Sequence, residues 1–583
     1  MTRHGLRRGQ VHVPHWVLHA GRRAATILAL VVVGLLALDQ RYSWLNHRPG
    51  GDAFDVVQQP VFMALFALGA LLALRWRLVG GIVAAFTSAG LVVFASRQFE
   101  PFDAGLVVVG FAVPALIWLV VGLFELRDEQ FHRTLVEPPR QLLRRRDVLG
   151  GAAALGVTLV AGAVVGRRLF DRIYGPTHPS STVAAVRGSA TRWVWSGAVT
   201  SNSAAVTCRL EDDDRTDVEL VVARSESLRD GVAHEALVRD EGLVRVDVGG
   251  LDAATEYHYA FVVDGEIDRT RVGRFRTYPD RAAPLNLVFG CCARTGSNAA
   301  VFDTIRSQDP DVVIFDGDLH YADITRDDQL PYRRILDHTL SRPAQEALFQ
   351  RYPVAYVWDD HDFGGPDASV GSRPAAMATY RGYVPHHPLA SDSSSVHQSF
   401  SFGRVRILMT DARSERRPQS GGVPGTMLGD EQRAWLLEEL LAARESHALT
   451  IWVNPVPWIE SPSTDGDGWG GFSAERAAIA TFIAEHDLAR SLLMLSGDAH
   501  MLAIDDGTNS DYSTDGHSRF PVFHAGALDR PGSVKGGPYS HGTYPGGGQF
   551  GQVTVDDDGT DVAVTLAGRN WRNEIVVEHA FTV

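Results

Sequence analysis

Val312-Val313-Ile314-Phe315-Asp316-Gly317-Asp318-Leu319-His320-Tyr321 joins an apolar run to a turn crowded with polar chemistry. Three other stretches repeat the arrangement. Residues 285–289 run into Gly290-Cys291-Cys292-Ala293, 354–357 into Trp358-Asp359-Asp360-His361-Asp362, and 492–495 into Gly497-Asp498-Ala499-His500. Apolar runs this short read as buried strands. In layered α/β proteins, ligands gather beyond the carboxyl ends of the strands. The thiol, carboxylate, phenol and imidazole groups are therefore expected to converge along one sheet edge. That donor mixture suits two metal ions of different hardness, so the pattern reads as a dinuclear metallohydrolase. Singly, each motif is weak: a Cys is commonly a small buried hydrophobe and a Tyr a half-buried aromatic. The weight lies in four of them, each at a strand exit.

A chain of 583 residues exceeds one core and should hold about three or four units. The formal net charge of −14 argues against a nucleic-acid partner, which needs a basic face. Lys535 is the only lysine, and the remaining positive charge is arginine. That imbalance reads as codon bias in a GC-rich genome. Three cysteines cannot build a disulfide framework. Cys291 and Cys292 are adjacent, so a strained vicinal disulfide stands as the alternative to two thiols. Cys208, in a β-rich stretch, reads as an inert core residue.

The first third carries long uncharged segments at 24–38, 61–74, 78–95, 104–124 and 148–165. The last three approach the roughly 20 apolar residues that cross a bilayer. The two shorter ones are flanked by Tyr42, Trp44 and Trp76, which suit the interface. Arginines concentrate before the first segment, after the second and after the fourth, where Arg144, Arg145 and Arg146 close the loop. Positive loops stay cytoplasmic. The expectation is an all-α transmembrane region over 1–172 in the cell membrane, with everything after Gly166 on the extracytoplasmic side. Arg145-Arg146 before a Gly- and Ala-rich apolar run also resembles a twin-arginine signal, which would make the export machinery a partner.

From 181 to 280 short runs alternate apolar and polar with turns between them, the pattern of a small β-sandwich. Gly250-Leu251-Asp252-Ala253-Ala254-Thr255-Glu256-Tyr257 resembles a corner of fibronectin type III domains, with Tyr257 expected to bond back across it. From 283 to 583 strands alternate with helices. Residues 298–306 and 431–444 read as helices, the second capped by Asp430. Gly-rich loops at 461–471 and 535–548 are expected over the site. The fold class is thus α/β: a layered catalytic domain preceded by a fibronectin-like β-sandwich and the transmembrane region.

The order Cys, Gly-Asp-x-x-Tyr, Trp-Asp-Asp-His-Asp, Asn, Gly-Asp-x-His resembles the alkaline phosphatase D (PhoD-like) metallophosphatases, over roughly 181 to the C-terminus. That resemblance implies hydrolysis of phosphomonoesters or phosphodiesters at a dinuclear centre, similar to purple acid phosphatases at the metal site. Asp318 is the implied bridge. Cys292, Tyr321 and His500 are the implied ligands of ferric iron. Asp360, Asn454 and Asp498 suit calcium or another hard divalent ion. His361 is placed to protonate the leaving oxygen. Arg294 could grip a phosphoryl oxygen of the substrate, while Asp411 and Arg413 orient the site. One departure stands out. After Trp-Asp-Asp-His-Asp the family commonly has an amide side chain, and here Pro366 takes its place, with neither a donor nor a carbonyl oxygen in its side chain. The leading expectation is a membrane-anchored extracytoplasmic phosphoesterase. The alternatives are a phosphodiesterase acting on lipid head groups or wall polymers, and a non-catalytic membrane sensor that keeps the metal fold.

Overall fold

The computed structural model describes residues 179–583, apart from 367, 369–372, 390–394 and 464–465. Before residue 179 it describes only the antiparallel strand pair Gln10–His12 with Leu142–Arg144. The five apolar segments expected to span a membrane lie outside the described residues. Among the described residues, no helix is long and apolar enough to cross a membrane. The chain divides into two compact units, Met1–Tyr174 and Gly175–Val583. The second unit contains all four motif-bearing strand exits.

The first part of this second unit is a sandwich of two antiparallel sheets. One orders Thr191–Gly197, Ser203–Leu210, Leu243–Gly249 and Leu237–Arg239 side by side; the other is built around Glu256–Val263 and Val218–Ala223. The alternating runs seen in the sequence are these strands. Val232–Glu235, Leu237–Arg239 and Glu266–Ile267 carry little apolar alternation and were not legible. Tyr257 bonds back across its corner as expected, its hydroxyl oxygen accepting from the Asp252 amide at 2.9 Å. The sandwich shares a core with the domain after it. Trp195 packs on Phe349 with ring centroids 5.3 Å apart, and Trp193 Nε1 donates to Asp337 Oδ1 at 2.9 Å. Arg271 forms a buried ion pair with Glu346.

The remainder is two mixed sheets packed face to face. The first runs in the spatial order Val354–Val357, Val312–Asp316, Leu285–Gly290, Gln549–Asp557, Val562–Asn570, Ile575–Thr582. Its first three strands are parallel and the rest antiparallel. The second begins with Gln398–Phe402, Val405–Met409, Leu449–Asn454 and Leu492–Ser496, and continues with Val522–Ala525, Met501–Asp505 and Thr543–Pro545. Phe289 of one sheet meets Phe523 of the other edge to face, centroids 5.0 Å apart. Strands buried on both faces explain why the apolar runs are continuous rather than alternating.

This corrects the expectation of one sheet edge. The loops after Gly290, Asp316 and Val357 leave the first sheet, whereas those after Asn454 and Ser496 leave the second. Strand order depends on long-range pairing, which local pattern does not encode. The helices also shift. The one expected from 298 spans Val301–Ser307, because residues 298–300 pair with Pro179–Ser181 instead: Ala299 bridges Ser180, and the Ala300 amide donates to Pro179 O at 2.9 Å. The other spans Gly429–Ser446, and Asp430 does not cap it: it lies inside the first turn, paired with Arg433 at 3.0 Å.

Candidate metal centre

Each strand exit turns abruptly. Cys292, Asp318 and Asp498 all adopt left-handed backbone, with φ of 60°, 52° and 67°. Such positions cost about 1–3 kcal/mol each and persist only where surrounding structure holds them. Here the loops hold one another. The amide of Cys292 donates to Gly317 O at 3.3 Å, and that of Ala293 to Asp318 O at 2.8 Å. Gly317 has φ of 117°, and a Cβ there would stand 2.5 Å from Asp359 Cβ, so only glycine admits the third loop against the second.

The carboxylates of Asp318 and Asp360 and a ring nitrogen of His361 lie within 4.8 Å of one another. Asp318 Oδ1 also accepts from the His361 amide at 3.3 Å. On its other side, Cys292 Sγ stands 3.6 Å from Asp318 Oδ2 and 3.7 Å from Asp498 O. Cys291 Sγ faces Ala525 O instead, at 3.6 Å. The two sulfurs are 3.1 Å apart as free thiols, not a disulfide. Cys208 is a free, buried core thiol. Tyr321 Oη meets His500 Nε2 at 3.1 Å. His500 Nδ1 faces Pro531 O at 2.7 Å, so Nδ1 carries the proton and the Nε2 lone pair points to the site.

Asn454 is fully buried at its strand end. Its amide donates to Val456 O at 2.6 Å and its carbonyl accepts from Trp469 Nε1 at 3.1 Å. The amide is thereby oriented, and its oxygen keeps one lone pair for a further partner. Asp498 Oδ1 pairs with Lys535 Nζ at 2.6 Å, while Oδ2 is buried with no partner. Arg294 is exposed on the loop after Cys292. The guanidinium that meets the donor set is Arg530, 4.0 Å over the Tyr321 ring. Pro366 is exposed, and Asp367 lies outside the described residues.

Arg413 ties the two sheets together, and Asp411 braces the loop that carries it. Arg413 is buried, with Nε 2.5 Å from Asp359 Oδ1 and its two terminal nitrogens 2.8 and 2.9 Å from Asp467. Asp411 accepts from the amides of Val396, Arg413 and Ser414. Three further residues, Asp323, Asp467 and Arg530, were not singled out in the sequence, and a fourth, Lys535, stood out there only as the sole lysine. Asp323 Oδ1 holds His361 Nδ1 at 2.5 Å. Asp467 and Lys535 fall within the Gly-rich loops expected over the site, and both loops reach it.

The electrostatics test whether these residues suit a cation. Burial pushes Asp318 well above the usual carboxylate range, and Asp360 and Asp362 add to it. Burial likewise raises the Cys292 thiol, reinforced by Cys291, Asp318 and Asp498. Burial raises Tyr321, with Asp318 and Cys292 adding, and burial lowers His500, with Arg530 and Lys535 adding. Burial opposes protonation of His361, yet Asp360, Asp318 and Asp323 outweigh it and push its pKa up to about 10. Several buried donors thus press on one another's charge. A multivalent cation inverts that logic, since it favours the deprotonated form of every ligand at once. The donor set fits a metal: the Cys292 thiol faces one oxygen of Asp318, with Tyr321 and His500 paired nearby, and Asp360 and His361 lie within reach of the same carboxylate.

Known protein families match both domains of the second unit. A model described as "PhoD-like phosphatase, N-terminal domain" matches 177–279, and one described as "PhoD-like phosphatase" matches 287–538. No curated protein matches the chain. A solved structure described as that of PhoD shares 17% identity at a TM-score of 0.55, covering 69% of this chain and 90% of its own. It shows the same fold. A dimetal phosphatase from Danio rerio shares 13% identity, covering 51% of this chain and 98% of its own, at a TM-score of 0.33. With both sandwich and two-sheet domain matched over more than half of the 583 residues, the chain belongs to the PhoD-like phosphatase family and is a metal-dependent phosphoester hydrolase.

Proposed function

We propose that this hydrolase acts outside the cytoplasm, anchored in the membrane, on phosphomonoesters or phosphodiesters, with ferric iron and calcium or another hard divalent ion as cofactors. The observation that carries the catalytic part is the grouping of Asp318, Asp360 and His361 within 4.8 Å, beside the Cys292 thiol. The anchoring rests on the five apolar segments and the arginine pattern, with the twin-arginine machinery as one export route. A bound metal pair lowers the pKa of water and offsets phosphoryl charge.

The chain's own residues do the rest. Asp318 has Cys292 on one side and Asp360 on the other, the position for a bridging carboxylate. Asp323 engages His361 Nδ1, which leaves Nε2 to present a proton to the leaving oxygen. Arg530 brings a guanidinium over Tyr321, a better placed candidate than Arg294 for a phosphoryl oxygen.

The iron assignment has an optical test on the full-length protein. Thiolate and phenolate donors to ferric iron give visible charge-transfer absorption, so the purified protein should be coloured. Tyr321→Phe should remove the phenolate band and Cys292→Ser the thiolate band, with Cys291→Ser nearly silent. Bleaching by Cys291→Ser alone would mean that the neighbouring sulfur is the ligand. A colourless protein that contains only zinc rejects iron.

A further inference from the structure

All 55 basic side chains of this sequence are arginine except one. The exception is Lys535, and its Nζ lies 2.6 Å from Asp498 Oδ1. An arginine there would bring a wide planar fork; an ammonium is a compact point charge with the footprint of a single cation. The one position where the chain departs from arginine is therefore the one where a cation-sized group meets a metal-ligand carboxylate. Codon bias accounts for the arginines and leaves this lysine unexplained.

The loop that carries it is built for the purpose. The Leu528 and Asp529 amides donate to Cys291 O and Cys292 O at 2.9 and 3.2 Å. The Ser533 amide donates to His500 O at 3.0 Å, and the Gly537 amide to Ile459 O at 2.6 Å. Pinned before and after Lys535, the loop delivers the side chain to Asp498 with 28% of it exposed.

We propose that Lys535 competes with the divalent ion for Asp498, so that the second cation position is a gated one, filled by the ammonium until a metal displaces it. This rests on the two-ion reading of the site. A positive charge that occupies a ligand oxygen repels an incoming divalent ion and must be moved before that oxygen coordinates. The opposite role is a partner that merely orients the ligand, whose removal weakens metal binding. The two roles differ in the sign of one measurement.

Calcium is titrated calorimetrically into the iron-loaded full-length protein and its Lys535→Met and Lys535→Gln variants, with folding checked by circular dichroism. Competition predicts calcium affinity about tenfold or more higher in both variants, and loss of that gain when Asp498→Asn is added. Unchanged or weaker binding overturns the proposal while leaving the metallohydrolase intact. Failure of every form to bind calcium overturns the proposal together with the two-ion reading. A second measurement needs no variant. Because Lys535 is the only lysine, an amine-acylating reagent followed by peptide mass spectrometry reads this side chain alone. Saturating calcium should speed its modification, and an unchanged or slower rate overturns the proposal.

Discussion

Asp318→Ala is expected to remove metal and turnover together. Asp318 touches both halves of the centre, with Cys292 Sγ 3.6 Å from one oxygen and the His361 amide 3.3 Å from the other. No other described carboxylate joins the thiol side to the Asp360 side in this way. Removing it leaves the thiol, the phenol and Asp360 without a shared partner. Loss of an outer partner of a ligand already costs 10–100-fold, so loss of the bridge itself should exceed about 100-fold in kcat/KM. Elemental analysis and a chromogenic phosphoester assay on the same preparation check this. A variant that keeps full metal content and most of its turnover would remove Asp318 from the centre.

His361→Ala should separate metal from catalysis. Without a cation on those carboxylates, Asp360, Asp318 and Asp323 outweigh burial and push the imidazole's pKa up to about 10. Asp323 occupies Nδ1, so the proton offered to substrate is the one on Nε2. General-acid catalysis is worth about 10²–10⁴-fold, and it matters most when the leaving group is a poor one. The variant should keep its metals, lose about that factor with an alkyl phosphate, and lose far less with a nitrophenyl ester. Equal losses on both substrates, together with lost metal, would make His361 a ligand, a role its position within 4.8 Å of Asp318 and Asp360 also permits.

The candidate donors were legible because each follows an apolar strand directly. A buried strand ends where polarity begins, so Cys292, Asp318, Asp360 and Asp498 announce themselves locally. Their distribution over two sheets was not legible, since register between Leu285–Gly290 and Gln549–Asp557 links residues more than 250 positions apart. Asp323, Asp467 and Arg530 sit in loops whose paths are set by contacts such as Arg413 with Asp467. No local periodicity marks them. Gln398–Phe402 does alternate, with buried and half-buried positions in turn, and could have been read as a strand. Lys535 did carry a signal, its singularity, and composition alone attributed that to the genome.

Metal-dependent hydrolysis at this centre is the central claim. The direct measurement strips the full-length protein of metal with a chelator, assays it on monoester and diester substrates, then returns ferric and divalent ions. No turnover is predicted after stripping, with recovery on reconstitution and Asp318→Ala unrecovered. Undiminished hydrolysis by metal-free protein would contradict the claim.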